Sequence, residues 1–154
     1  MRIVEYNTIY QNDFTEMFLK YFNEDLQYEI SEEVFKERLL PLMEKEKLFD
    51  IIEILLAIED GETVGFIIYQ IDCEDSDWNK REGWGFVREL YVDKNYRHKG
   101  IGSALVGEME KDLFDVDIYL TSQVDEFWLK NQYEKTDMVD EINEQSIFEK
   151  RTTI

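Results

Sequence analysis

Residues 84–110, WGFVRELYVDKNYRHKGIGSALVGEME, constrain the fold of this chain more than any other stretch. Residues 86–92 form a compact run of apolar, aromatic and β-branched residues interrupted by Arg88 and Glu89, a composition that suits a strand. Asp93-Lys94-Asn95 is polar and turn-like. Arg97-His98-Lys99-Gly100-Ile101-Gly102 follows, and Ile101, Leu105, Met109 and Leu113 then recur at helical spacing. The order is a strand, a short basic glycine loop and an amphipathic helix.

That order points to a bound anion. The first amides of a helix lack intrahelical partners, and the helix dipole places partial positive charge at the same end. Glycines at 100 and 102 remove side chains that hold a ligand off the backbone, and Arg97, His98 and Lys99 add cationic or ionisable groups beside it. A diphosphate suits such a site. On spacing alone a second reading stands beside this one, in which the glycines only permit close packing. Two other phosphate loops are excluded. The lysine precedes the glycine, unlike Gly-Lys-Ser/Thr, and Leu105 occupies the third glycine position of the dinucleotide fingerprint.

Arg-x-x-Gly-x-Gly after a strand ending Leu90-Tyr91-Val92 resembles motif A of the GNAT superfamily of acyl-CoA-dependent N-acyltransferases. The likeness runs through Glu89, Tyr96-Arg97 and residues 100–105. A second likeness is Asp60-Gly61-Glu62-Thr63-Val64-Gly65-Phe66, which is similar to the opening of the family's third strand. The resemblance implies an α/β (α+β) fold with a mixed, mostly antiparallel sheet of about six or seven strands flanked by about four helices. It implies that Arg97, His98, Lys99, Gly100, Ile101, Gly102 and Ser103 hold the pyrophosphate of acetyl-CoA. It further implies that the backbone of Leu90, Tyr91 and Val92 pairs with the pantetheine arm, and that homodimers are common.

Composition narrows the partners. The 154 residues suit one domain, and 44% hydrophobic with 14% aromatic content argues for a folded core. With 17 Lys and Arg against 36 Asp and Glu, the formal charge of −19 argues against nucleic acid as a general partner and favours either cationic partners or simply high solubility through solvated acidic faces. Cys73 is the only cysteine, so no intramolecular disulfide forms. No His/Cys cluster suggests a metal, and no apolar run reaches membrane-spanning length. These features fit a cytoplasmic protein that does not enter membranes.

Along the chain, residues 2–6 read as a first strand, and Asp13 as the cap of a helix carrying Phe14, Met17, Phe18, Tyr21 and Phe22. Ser31 reads as the cap of a second helix, kinked or divided at Pro41. Residues 49–58 and 63–71 form a hairpin, residues 73–83 a polar loop, and residues 116–121 a fifth strand parallel to the fourth. Trp78, in that loop, either packs locally or lines the acceptor mouth. A helix over 125–134 and strands over 138–141 and 146–151 close the chain.

Acyl transfer to an amine needs a base, an oxyanion donor and an acid for the leaving thiolate. Glu89, at the end of an apolar strand, is the candidate base, with Glu53 and Asp72 as alternatives. Its other reading is an exposed or salt-bridged acid beside Arg88. The family usually carries Phe-Tyr after the fifth strand, and here Phe127-Trp128 stands at that place. Trp128 lies against the cofactor in that register, but an indole N–H supplies no phenolic proton, so Tyr133 is the candidate acid, with an unprotonated departure of the thiolate or protonation by water as the alternatives. The expected activity is N-acetyl transfer from acetyl-CoA to a primary amine. The alternative is an acyl-CoA-binding or regulatory protein with impaired catalysis.

Overall fold

A computed structural model describes residues 1–153. Seven strands form one sheet: β1 (Arg2–Glu5), β2 (Ile52–Glu59), β3 (Glu62–Ile71), β4 (Gly85–Val92), β5 (Ile118–Ser122), β6 (Glu134–Val139) and β7 (Ser146–Lys150). Their order is β1-β2-β3-β4-β5-β7-β6. Every neighbouring pair is antiparallel except β4 and β5, which run parallel across a helical crossover.

Two helical layers cover the sheet. On one face lie α1 (Gln11–Lys20), the short α2 (Glu32–Val34) and α3 (Leu40–Leu48). Phe14, Met17, Phe18, Phe35, Leu40 and Met43 bury there against Ile54, Phe66, Ile68 and Tyr91. On the other face α4 (Ile101–Asp112) sets Ile101, Leu105, Val106 and Met109 against Ile67, Tyr69 and Val87. The short α5 (Asp125–Lys130) adds Trp128 to that second core. Residues 66–69 of β3 alternate between these two cores, as period-two burial on both faces requires.

Several boundaries differ from the sequence reading. The first helix starts at Gln11, after a 3-10 turn whose cap is Asn7, accepting from Ile9 N–H. Asp13 therefore lies inside the first turn, where its charge still suits the dipole. Ser31 does cap α2, its hydroxyl accepting from Val34 N–H at 3.1 Å. Pro41 follows a wide turn over Phe35–Leu39, in which Leu40 N–H reaches back to Phe35 O. That turn absorbs the donor proline lacks, so the pattern is divided there. The second strand begins only at Ile52, because Asp50 takes a left-handed φ of 58° and Phe49 is exposed. The last helix stops at Lys130, Gln132 adopts φ 70°, and β6 starts at Glu134, four residues before the predicted position.

Candidate active site

The β4–β5 ladder is short. Gly85 pairs with Ile118 and Phe86 with Tyr119, after which β5 pairs only with β7 and β4 only with β3. The strands thus part toward the C-terminal end of β4, where the basic loop begins. A β-bulge lies just past the last shared pair. Ile68 opposes Glu89 and Tyr69 opposes Val87, so Arg88 is the surplus residue. A bulged strand bends and twists away from its neighbour.

The bulge also resets the faces of β4. Val87 and Leu90 join the α4 core, while Tyr91 joins the α1 core. Glu89 shares the face of Tyr91, because its carboxylate accepts from the hydroxyl of Tyr21, the residue directly after α1. Arg88 points to the same layer, where Nη1 donates to Glu46 Oε2 at 3.0 Å and to Gln70 Oε1 at 3.4 Å. Glu89 is thus neither exposed nor paired with Arg88. Burial pushes its carboxyl up to about 7, against the lowering effects of the Tyr21 hydrogen bond and the Arg88 charge.

Backbone polarity along β4 follows from one bond. Asp93 N–H donates to Val64 O at 2.8 Å, so the groups of Tyr91 face β3 and those of Leu90 and Val92 face the gap. Of the three residues expected to meet a pantetheine arm, two offer backbone to the gap. The Val92 carbonyl already accepts from Arg97 Nε at 2.8 Å.

The loop turns into α4 through two left-handed residues, His98 at φ 63° and Gly100 at φ 83°. No atom lies within 4 Å of a β-carbon built on Gly100, so glycine serves the conformation there and not the space. Ala104 N–H donates to Gly100 O at 3.0 Å, which leaves the preceding amides of Ile101, Gly102 and Ser103 as the open helix terminus. Gly102 has the other role weighed from the sequence, close packing: a β-carbon there would stand 3.1 Å from Phe127. Of the loop cations, Arg97 donates to Asp25 Oδ2 at 2.7 Å and lies 5.5 Å over the Tyr91 ring, and Lys99 lies 5.2 Å over Tyr96.

The residues after β5 are placed differently from the rest of the predicted site. Trp128 is 6% exposed and meets Tyr133 edge-on at 5.2 Å within the α4 core. Tyr133 is 2% exposed, and its hydroxyl donates to Glu110 Oε2 at 2.8 Å; burial first, and then the Glu110 charge and hydrogen bond, raise the phenol far above its ordinary value. The two weaker base candidates have structural partners. Glu53 is ion-paired to Lys47 at 2.8 Å. Asp72 accepts from Tyr119, Gln70 and the backbone of Lys80 and Arg81, fixing the β3–β4 loop. Trp78 packs locally, stacked on Phe86 at 5.3 Å. Tyr21 was legible only as a core aromatic, since nothing within the α1 sequence marks its hydroxyl for a strand 68 positions away.

Comparison with known proteins agrees with the fold. The model of the acetyltransferase (GNAT) family matches residues 8–137. No curated protein sequence matches the chain. Among solved structures, an N-acetyltransferase from Thermoplasma acidophilum in complex with coenzyme A is 22% identical, with a TM-score of 0.70 over 97% of this chain and 98% of that one. A histone acetyltransferase HPA2 and related acetyltransferase from Corynebacterium glutamicum is 14% identical, with a TM-score of 0.74 over 99% and 96%. The aminoglycoside 6'-N-acetyltransferase from Enterococcus faecium is 19% identical, with a TM-score of 0.67 over 98% and 97%. These likenesses concern the fold. With the family model covering most of its length, the chain belongs to the acetyltransferase (GNAT) family.

Proposed function

We propose that the protein transfers an acetyl group from acetyl-CoA to a primary amine by direct attack in a ternary complex. The observation that carries this reading is the parting of β4 from β5 beside a buried carboxylate, with the open terminus of α4 at the end of the gap. In this reading the amides of residues 101–103, with Arg97, His98, Lys99 and Gly100, receive the pyrophosphate. The backbone of Leu90 and Val92 receives the pantetheine arm. An amide facing the gap stabilises the oxyanion.

Glu89 takes one proton from the ammonium. The free amine attacks the thioester carbonyl, the C–N bond forms and the C–S bond breaks. The second nitrogen proton ends on the departing thiolate, giving amide and free CoA. A carboxyl that titrates near pH 7 is suited to this exchange. The formal charge of −19 favours a cationic acceptor, whose KM then rises with salt.

A second reading, an acyl-CoA-binding protein without turnover, rests on Trp128 and Tyr133. Both are buried, and Tyr133 is engaged with Glu110. Free-thiol release from acetyl-CoA across a panel of amines separates the two, with Glu89→Gln as control. Turnover with one amine class, reduced about 100-fold or more in the variant, supports the transferase. Acetyl-CoA binding with no release on any amine supports the second reading.

A further inference from the structure

The aromatic cluster under β4 contains a polar group, the Tyr21 hydroxyl, that touches Glu89 and that the reaction above leaves unused. Tyr21 continues the buried stripe of α1, three residues past Phe18 and four past Met17. Its ring stands edge-on to Phe18 at 6.0 Å and to Phe66 at 5.7 Å, and tilted against Tyr91 at 5.5 Å. A ring held on three sides aims its hydroxyl in one direction, and here it donates to Glu89 Oε2. The contact joins the helical layer to the strand that borders the gap.

We propose that Tyr21 is a positioning residue for acyl transfer: its hydroxyl ties down Oε2 of Glu89, leaves Oε1 for the incoming ammonium, and keeps the carboxylate ionised until that ammonium arrives. This inference rests on the reading of Glu89 as base. A hydrogen bond to the charged form favours that form, and it opposes the burial that would otherwise keep Glu89 protonated. The other groups around the pair act more weakly or elsewhere. Arg88 favours the anion of Glu89 but gives its guanidinium to Glu46 on α3. Asp25 and Tyr28 act on Tyr21, and both oppose its ionisation. Tyr91, on the same strand face, is itself raised by burial to about 12. Opposite Glu89 on β3 stands Ile68, which carries no charge. Burial raises the Tyr21 phenol far above its ordinary value, so it is a donor throughout the working range.

The ionisation of Glu89 can be read without turnover, by carboxyl ¹³C NMR titration in which Glu89→Gln identifies the resonance. Tyr21→Phe keeps the ring and removes only the hydroxyl. It is expected to move the midpoint of Glu89 upward by about one pH unit, and to move the acid limb of kcat/KM by the same amount with acetyl-CoA affinity unchanged. Incorporation of 3-fluorotyrosine at position 21 strengthens the donor and is expected to move both midpoints downward. A Glu89 midpoint that stays in place in both proteins overturns the role of Tyr21 and leaves Glu89 as base. A Glu89→Gln protein that still releases thiol at the parent rate overturns the base reading, and this inference with it.

Discussion

The β-carbon that Gly102 lacks would stand 3.1 Å from Cε1 of Phe127 and 3.3 Å from its Cζ. The start of α4 is thereby seated on α5, and the glycine serves helix packing as well as backbone access. The ring tip of a half-buried Phe127 can retreat by a few tenths of an ångström, but not by the width of a branched side chain. Gly102→Ala is therefore expected to change stability by no more than about 0.5 kcal/mol, and Gly102→Val to cost about 1–3 kcal/mol by overpacking. Urea denaturation of the two variants checks the contrast.

Glu89 carries a pH signature in stability as well as in rate. Its carboxyl titrates near 7 in the folded chain against an ordinary value of 4.5, so the folded state binds the proton more tightly. Its contribution to stability is then greatest below pH 4.5 and falls as pH rises to about 7, by on the order of 2–3 kcal/mol. Glu89→Gln is expected to flatten that fall and to exceed the parent in stability at pH 8, while losing turnover. Denaturation midpoints of both proteins between pH 4 and 8 measure it.

The Arg88–Glu46 pair calls for a double-mutant cycle. The Glu46 side chain is 6% exposed, and its Oε1 has no hydrogen-bond partner among the described residues, so Arg88 alone offsets its burial. Arg88→Met is expected to destabilise by about 2–4 kcal/mol, because it leaves that carboxylate unpaired. Adding Glu46→Met should recover most of the loss. Equal losses in the single and double variants would contradict this account.

On the proposed function, Asp25 competes with the pyrophosphate for Arg97, to which it lies 2.7 Å away with both side chains more than a third exposed. An exposed pair of this kind contributes about 0–1 kcal/mol to stability. Asp25→Asn is thus expected to leave the unfolding midpoint nearly unchanged and to tighten acetyl-CoA binding by roughly 3- to 10-fold. Calorimetric titration with acetyl-CoA at low and moderate salt tests this.

The parts legible in the sequence are those encoded locally. The run from β4 through α4 is readable because apolar period, glycine placement and basic residues all fall within a short window. Ser31 is readable as a cap because capping chemistry spans only three residues. The Glu89–Tyr21 contact is not readable, since it depends on how α1 lies across the sheet. The surplus at Arg88 leaves no mark in composition, although it decides which layer Glu89 meets. The region 125–139 misled for another reason. Lys130–Gln132 carry no proline or glycine to signal the end of α5, and the turn is made by a left-handed Gln132.

Arg88 separates the architecture of this protein from its proposed chemistry. Because it is supernumerary in the ladder, its deletion would leave every other side chain of β4 on its present face and every β3 partner in place. The strand would straighten and could zip onward against β5. A seven-stranded scaffold would persist with its cleft sealed, and Glu46 would lose its counter-ion. On the proposed function, one codon thus distinguishes a fold that has a place for a thioester from the same fold without one.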